Sequence, residues 1–337
     1  MNAQLAESYR HCKRISRRSA SNFYWSFSLL PPEQRRAMHA LYAFSRCTDD
    51  LGDSFEPAER RREQLDAWRE SLGAACDGRF DGPVWPGLLD TVERFNVPID
   101  YLYAIVDGVA MDLEPPCYET FDDLRRYCFH VASAVGLACI HIWGCTDERA
   151  TELADACGVA FQMTNILRDL REDATRERIY LPRAELARFN CEASDLQASV
   201  LNERLAAMLR CQIERTERLY EEAAPLASMI PPRSRHAFVA MFGTYRRLLA
   251  EIKQRDGDVF SRRVRLSSWR RLGILCSALI GPLSPCERIR VRGACKSLCP
   301  SGGNSRGELA PQQPSLQPSP EGRGSQGAQQ PHRQTGS

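Results

Sequence analysis

Gln162, Asn165, Asp169 and Asp173 stand three, four and four residues apart in the stretch QMTNILRDLRED. On a helix that spacing lines all four up on one face. Val159, Met163, Ile166, Leu167 and Leu170 flank them, so the same helix is at least partly buried. Two carboxylates and two carboxamides at the edge of an apolar surface are costly to desolvate without a partner. A hard cation with oxygen ligands is the partner that suits them. Asp49 and Asp53, in CTDDLGDS, are again four apart. They end an apolar stripe through Met38, Leu41, Tyr42 and Ser45, which puts them on the inward face of their helix. Asp50 falls off that row. An acidic pair four apart is more often a solvated face; a second row with apolar flanks argues otherwise here. Arg46 and Arg168 lie beside the two rows and are placed to reach an anion. A guanidinium binds phosphate through paired, charge-assisted hydrogen bonds.

The elements that must carry these rows all read as helices. Residues 6–19 form a basic helix. The aromatic segment SNFYWSFSLLPP follows, and Pro32 with Glu33 starts the helix that ends in the first aspartate pair. Further helices are expected over 59–75, 87–95 and 98–113, the last stopped by the prolines of MDLEPP. Thr120 caps a helix that runs unbroken through TFDDLRRYCFHVASAVGLACIHIWG. Residues 147–173 carry the second row. RIYLPRAELARF reads as loop and turn, and long helices cover 196–227 and 233–256. Strand patterns and glycine-rich nucleotide motifs are nearly absent, so the class is all-α.

The 337 residues, 43% of them hydrophobic, suffice for one large domain. A formal net charge of +2 gives no pull toward nucleic acid. The 14 cysteines are scattered without a zinc-type CxxC pair and read as reduced thiols of a cytoplasmic protein. No stretch is long enough to span a bilayer, and the start of the chain has no signal-peptide run. The Arg-rich first helix is a solvated face or rests peripherally on anionic lipid. His130 and His141 read as core or rim histidines. From residue 284 the chain turns rich in Gly, Pro, Ser and Gln, and reads as a disordered tail after a helical domain of residues 1–283.

LYAFSRCTDDLGD, MDLE with YETFDDLRRYCFHVASAVG, QMTNILRDLREDATRERIYLP and TYRRLLAEIKQRDGDVFSRRVRL occur in this order. Together they resemble the squalene/phytoene synthases over roughly residues 15–275. The resemblance implies an isoprenoid-synthase-type bundle around a central cavity, with the two aspartate rows opposed at its mouth. It implies Mg2+ ions held at Asp49, Asp53, Asn165, Asp169 and Asp173, bridging to prenyl diphosphate substrates. It adds Arg263 to Arg46, Arg168 and Gln162 as substrate contacts. Phe23, Phe27, Tyr42, Tyr127 and Tyr245 are the expected aromatic lining, with Tyr127 among the catalytic group. Three positions depart from the family pattern. Ser19 stands where a histidine is common, and Glu177 and Ser133 replace glycines; the latter two read as packing changes.

The reaction implied is C1-to-C1 condensation of two prenyl diphosphates through a cyclopropylcarbinyl diphosphate. The weight falls on farnesyl diphosphate giving presqualene diphosphate or squalene, with NADPH needed only if squalene is the final product. Geranylgeranyl diphosphate giving phytoene is the alternative. A downstream enzyme would take the product. A terpene cyclase, a head-to-tail elongator and an inactive relative serving in assembly are the other readings. The first two lack this QMTNILRDLRED face, and the last would have lost its aspartates.

Overall fold

A computed structural model of the chain describes residues 2–19, 23–198, 200–266, 273–274 and 278. The tail expected from residue 284 lies outside the described residues. Among the described residues, fourteen α-helices and one π turn succeed one another up to Lys253, and no strand occurs.

The first half supplies α1 (Ala3–Arg18), α2 (Tyr24–Phe27), α3 (Pro32–Gly52), α4 (Ala58–Cys76), α5 (Trp85–Phe95) and α6 (Ile99–Met111). Pro32 begins α3 at a position where its missing N–H is no loss. Inward side chains Ala37, Met38, Leu41 and Phe44 bury the helix along its length. Near its end Gly52 lies against α6: a Cβ there would sit 2.3 Å from Val109 Cγ1. The lack of a side chain lets the two helix ends close together. Arg61 of α4 donates to the Gly52 carbonyl at 2.7 Å, answering a carbonyl that the helix leaves free.

Next come α7 (Phe121–Cys128), a π turn (Phe129–Ser133) and α8 (Ala134–Trp143). Thr120 caps α7 through a reciprocal capping box with Asp123. The expected unbroken helix is thus divided. The Ala134 N–H reaches back five residues to the Phe129 carbonyl, which makes a wider turn and rotates α8 relative to α7. Periodicity is blind to one extra residue in an otherwise apolar run.

The longest element is α9 (Arg149–Ala174), 26 residues or about 39 Å of rod. It lies against the π turn, α8, α12 (Glu203–Ala223) and α14 (Pro232–Lys253). Gly158 is where it meets the π turn: an added Cβ would stand 2.5 Å from Ser133 Cα and 2.7 Å from Ser133 N. Ser133 also donates to the Asp155 carbonyl at 3.1 Å. Its departure from the family glycine is therefore a matter of packing.

Glu177 is different. It stands at φ 59°, in the left-handed region. Its N–H bonds Ala174 O at 3.1 Å, and the Arg178 N–H bonds Asp173 O at 2.9 Å. These two bonds end α9 in a Schellman motif, whose left-handed residue is usually glycine. The other non-glycine residues at positive φ are Asn96, Asn190 and Asp256, types that tolerate it. The departure at Glu177 is thus one of backbone conformation, which corrects its reading as a packing change. Glu177→Gly should stabilise the protein by about 1 kcal/mol, the strain removed outweighing the added chain entropy. Urea denaturation checks this; equal or lower stability of the variant would refute the strain.

Two further expectations are corrected. RIYLPRAELARF holds a short helix, α10 (Arg183–Arg188), begun by Pro182. The long helix over 196–227 is instead three: α11 (Ala193–Gln197), α12 and α13 (Leu226–Met229). Asn202 restarts the chain by accepting from the Leu205 N–H at 2.9 Å, and Pro225 separates α12 from α13.

Candidate active site

The helices α3, α6 and α9 each deliver carboxylates at their C-terminal ends. Asp49 lies in the last turn of α3, and Asp53 is its C-cap. Asp112 is the C-cap of α6, and Asp173 lies in the last turn of α9, one turn beyond Asp169. Helix C-termini carry partial negative charge, so backbone and side chains add to one negative pole.

The electrostatics show how these ends meet. Burial is the largest cause of the raised pKa of Asp49, which reaches about 7, and Asp53 and Asp112 push it further in the same direction. Burial likewise raises Asp173 to about 7, with Asp169 and Asp112 adding to it. Asp112 is itself raised, by burial first, and feels Asp53. Asp112 lies near both rows: Gly52 packs on Val109 at the ends of α3 and α6, and Arg178 and Tyr180, just past α9, reach Asp112 at 3.4 and 3.0 Å. Asp49 keeps solvent access although protein crowds it on most sides. That combination describes the wall of an open cleft and not a core position.

Asp112 was not singled out in the sequence. Its signal was its place: the aspartate of MDLE, closing an apolar helix immediately before EPP. Tyr127 donates to one of its carboxylate oxygens at 2.9 Å and Tyr180 to the other at 3.0 Å. The rings of Tyr118, Tyr127 and Tyr180 pack in a row, with centroids 5.5 and 5.2 Å apart. Burial first, then Asp112, holds the Tyr127 hydroxyl firmly protonated. Tyr127 was expected to turn its ring toward a cavity. It is buried, and its hydroxyl fixes Asp112.

The remaining aromatic residues meet on the same flank of α9 as the acidic row, Phe161 standing one turn before Asn165. Phe23 stacks on Tyr245 at 5.2 Å, and Tyr245 on Phe161 at 4.4 Å. Phe161, on α9 itself, was also missed: in sequence it is one apolar residue among many. Phe27 is buried, with the ring of Tyr42 edge-on at 6.1 Å.

Each expected anion contact is ion-paired in this structure. Arg46 pairs with Asp50, which is solvent-exposed. Arg168 grips Asp169 with Nε at 2.9 Å and a second nitrogen at 2.5 Å. Arg263 reaches the same carboxylate at 2.8 Å and Glu172 at 2.8 Å. A cavity of about 230 Å³ lies beside this network, lined by Arg168, Arg171, Glu172, Thr175, Val259 and Arg263.

The donor set suits a hard cation. Every side-chain donor in the two rows is an oxygen or a carboxamide. The Asn165 amide donates to Gln162 at 3.4 Å, and its own Oδ1 is buried without a hydrogen-bond partner. Burial first, and then neighbouring carboxylates, raise Asp49 and Asp173 to about 7, a cost that a bound cation would offset. Among the described residues, no three His, Cys, Asp or Glu side chains are close enough together to hold one ion. Any ion would take few protein oxygens and complete its shell from elsewhere, as Mg2+ commonly does. For a nicotinamide cofactor the described residues offer no support.

A pH dependence arises from the two raised carboxyls. The native state keeps protons that the unfolded chain, with an ordinary value of 3.8, has already lost. Stability of the metal-free protein is therefore greatest below about pH 4 in this respect, and falls as pH rises through about 7. Mg2+ should raise the melting temperature more at about pH 8 than at about pH 5. Calorimetry in EDTA and in Mg2+ tests this; a shift of equal size at both would refute it.

The squalene/phytoene synthase family profile matches residues 16–270. A 15-cis-phytoene synthase from Synechococcus elongatus is 36% identical over 290 residues, spanning 82% of this chain and 94% of its own length. A phytoene synthase of Mycobacterium tuberculosis is 36% identical over 279 residues, 82% of this chain and 92% of its own. Among solved structures, a dehydrosqualene synthase in complex with a ligand superposes with a TM-score of 0.76 at 27% identity, covering 82% of this chain and 96% of that one. The squalene synthase HpnC from Alicyclobacillus acidocaldarius gives 0.71 at 29% identity, covering 76% and 97%. The chain belongs to the squalene/phytoene synthase family, and is with it a prenyltransferase of the kind that joins prenyl diphosphates head to head.

Proposed function

We propose that this protein condenses two molecules of geranylgeranyl diphosphate, C1 to C1, through a cyclopropylcarbinyl diphosphate to a phytoene-type hydrocarbon. The observation that supports a two-diphosphate reaction is the closeness of Asp112 both to the end of α3, which carries Asp49 and Asp53, and to the segment following Asp173. The C20 substrate is favoured over the C15 substrate by the identity to phytoene synthases, which exceeds that to the squalene-type enzymes of known structure. The final step to phytoene is loss of a proton, so this reading needs no hydride donor. Farnesyl diphosphate is the second reading, favoured by the fold likeness to the dehydrosqualene synthase.

Mg2+ held by Asp49, Asp53, Asp169 and Asp173, with Asn165 alongside, would stabilise the charge gathering on the departing diphosphate. The protein's own residues do the rest. Arg46, Arg168 and Arg263 exchange carboxylate partners for phosphate oxygens, for which their planar forks are suited. Gln162 donates its amide toward the same anion. Tyr127 and Tyr180 keep Asp112 fixed between the rows. Phe23, Phe27, Tyr42, Phe161 and Tyr245 exclude water from the allylic cation and offer it their ring faces. A prenyl chain has to part the stacked rings of Phe23, Phe161 and Tyr245 to enter.

Incubation with farnesyl or geranylgeranyl diphosphate in Mg2+, without nicotinamide, followed by mass analysis, tests this. A C40 hydrocarbon from the C20 substrate is expected. A C30 product alone would move the assignment to the second reading. Consumption of neither, or a cyclised single-substrate product, would defeat the proposal.

A further inference from the structure

α1 is tied to the body of the protein along one side only. Ser8, Tyr9, Cys12 and Ser16 are buried. Ser8 donates to the Pro83 carbonyl at 2.6 Å, and Ser16 to the His39 carbonyl of α3 at 3.3 Å. Arg10, Lys13, Arg14, Arg17 and Arg18 are exposed. At about 100° per residue these five fall within about 140° of arc, centred opposite the buried side. The one acidic residue in that arc is Glu7, which pairs with Arg10 at 2.5 Å. Lys13, Arg17 and Arg18 make no ion pair among the described residues. Nothing in the fold uses this concentration of charge, and the carboxylate cleft does not draw on it.

The next helix adds a second, independent feature. On α2, Phe23 at the N-cap stacks inward on Tyr245, whereas Trp25 is 54% exposed. The end of α1 and α2 both meet His39: its carbonyl accepts from Ser16 at 3.3 Å, and its ring lies 5.7 Å from that of Tyr24. A large aromatic ring left in solvent near a basic helix is the combination that anchors proteins at the lipid headgroup level. No helix among the described residues is long and apolar enough to cross a membrane. Contact would therefore be at the surface.

We propose that the basic face of α1, with Trp25 of α2, docks this protein on a bilayer surface rich in anionic lipid. The occupant is identified by charge complementarity: five cations in one stripe fit a plane of phosphate headgroups, and the exposed indole fits its interfacial zone. The placement also has a use. Trp25 and Phe23 share one short turn, so the lipid-facing ring and a wall of the aromatic stack are neighbours. A hydrocarbon product would leave beside the phase in which it dissolves.

The test needs neither substrate nor turnover, so its failure would leave the synthase reading standing. The full chain is sedimented with vesicles of phosphatidylcholine alone or mixed with phosphatidylglycerol. Binding to the mixed vesicles is expected, and salt should weaken it. R14Q/R17Q/R18Q should lower the partition coefficient roughly 100-fold, about fivefold for each cation removed. Circular dichroism confirms that this variant is folded, and its turnover of detergent-dispersed substrate should match the wild type. Wild-type tryptophan emission should shift to the blue on the mixed vesicles, and Trp25→Phe should abolish the shift. Absence of vesicle binding, equal binding to neutral vesicles, or unchanged binding of the triple variant would overturn the proposal. A shift that persists in Trp25→Phe would remove Trp25 from it.

Discussion

Asp49→Ala and Asp169→Ala should each lower turnover by about 10³-fold or more while leaving the helical fold intact. The two residues lie on different helices, α3 and α9. Losing either removes a negative charge that a cation between the rows requires. Removing Asp49 from this crowded pole should not destabilise the metal-free protein, whereas removing Asp169 leaves Arg168 and Arg263 without the carboxylate they share and should cost stability. Asp173→Asn makes the point from the other side. Asp173 is raised to about 7 chiefly by burial, so its ionised form is strained at neutral pH. The carboxamide should make the metal-free protein more stable at about pH 8 and the enzyme nearly inactive, a trade between stability and activity common at functional sites. Product formation, circular dichroism and thermal melts on the same preparations decide the matter. Near-normal turnover in either alanine variant would remove the acidic rows from the reaction.

Gly158→Ala should destabilise the protein by about 2–3 kcal/mol, the usual range for overpacking a tight contact. The added carbon would lie 2.5 Å from Ser133 Cα and 2.7 Å from Ser133 N. Backbone on both sides leaves no flexible side chain to swing away, so α9 or the π turn has to shift. Either shift moves the groups proposed to act in the reaction, since α9 carries Asp169 and Asp173 and the π turn comes directly after the helix of Tyr127. Turnover should fall along with stability. Urea denaturation measures the first effect; a loss below about 0.5 kcal/mol would mean that the contact relaxes freely.

Much of this was visible in the chain itself. The row Gln162, Asn165, Asp169, Asp173 lies on one helix as its spacing demands, and the aspartate pair closes α3 where the apolar stripe stops. Helix starts at Pro32 and Thr120 arise from local chemistry that needs no partner elsewhere. The π turn was not legible, because one inserted residue barely disturbs an apolar pattern that is buried on most sides. The pairing of Arg168 and Arg263 on Asp169 was not legible either. The Arg263 contact joins positions 94 residues apart, and a local reading cannot distinguish a guanidinium aimed at phosphate from one aimed at a carboxylate.

Composition and periodicity alone determined that the chain is helical and that it carries two oxygen-rich rows, each along one face of its helix. These are properties of single helices, set by interactions within a few residues. The expected inward face of the first row is not found, for Asp49 and Asp53 are exposed. That the ends of α3 and α6 meet, that Asp112 is held by two tyrosine hydroxyls beside the segment following α9, and that Phe161 joins the aromatic stack were decided only by the tertiary structure. Each depends on how closely separate rods approach. That approach is governed by side-chain volume at contacts such as Gly52 with Val109 and Gly158 with Ser133, between residues far apart in the chain.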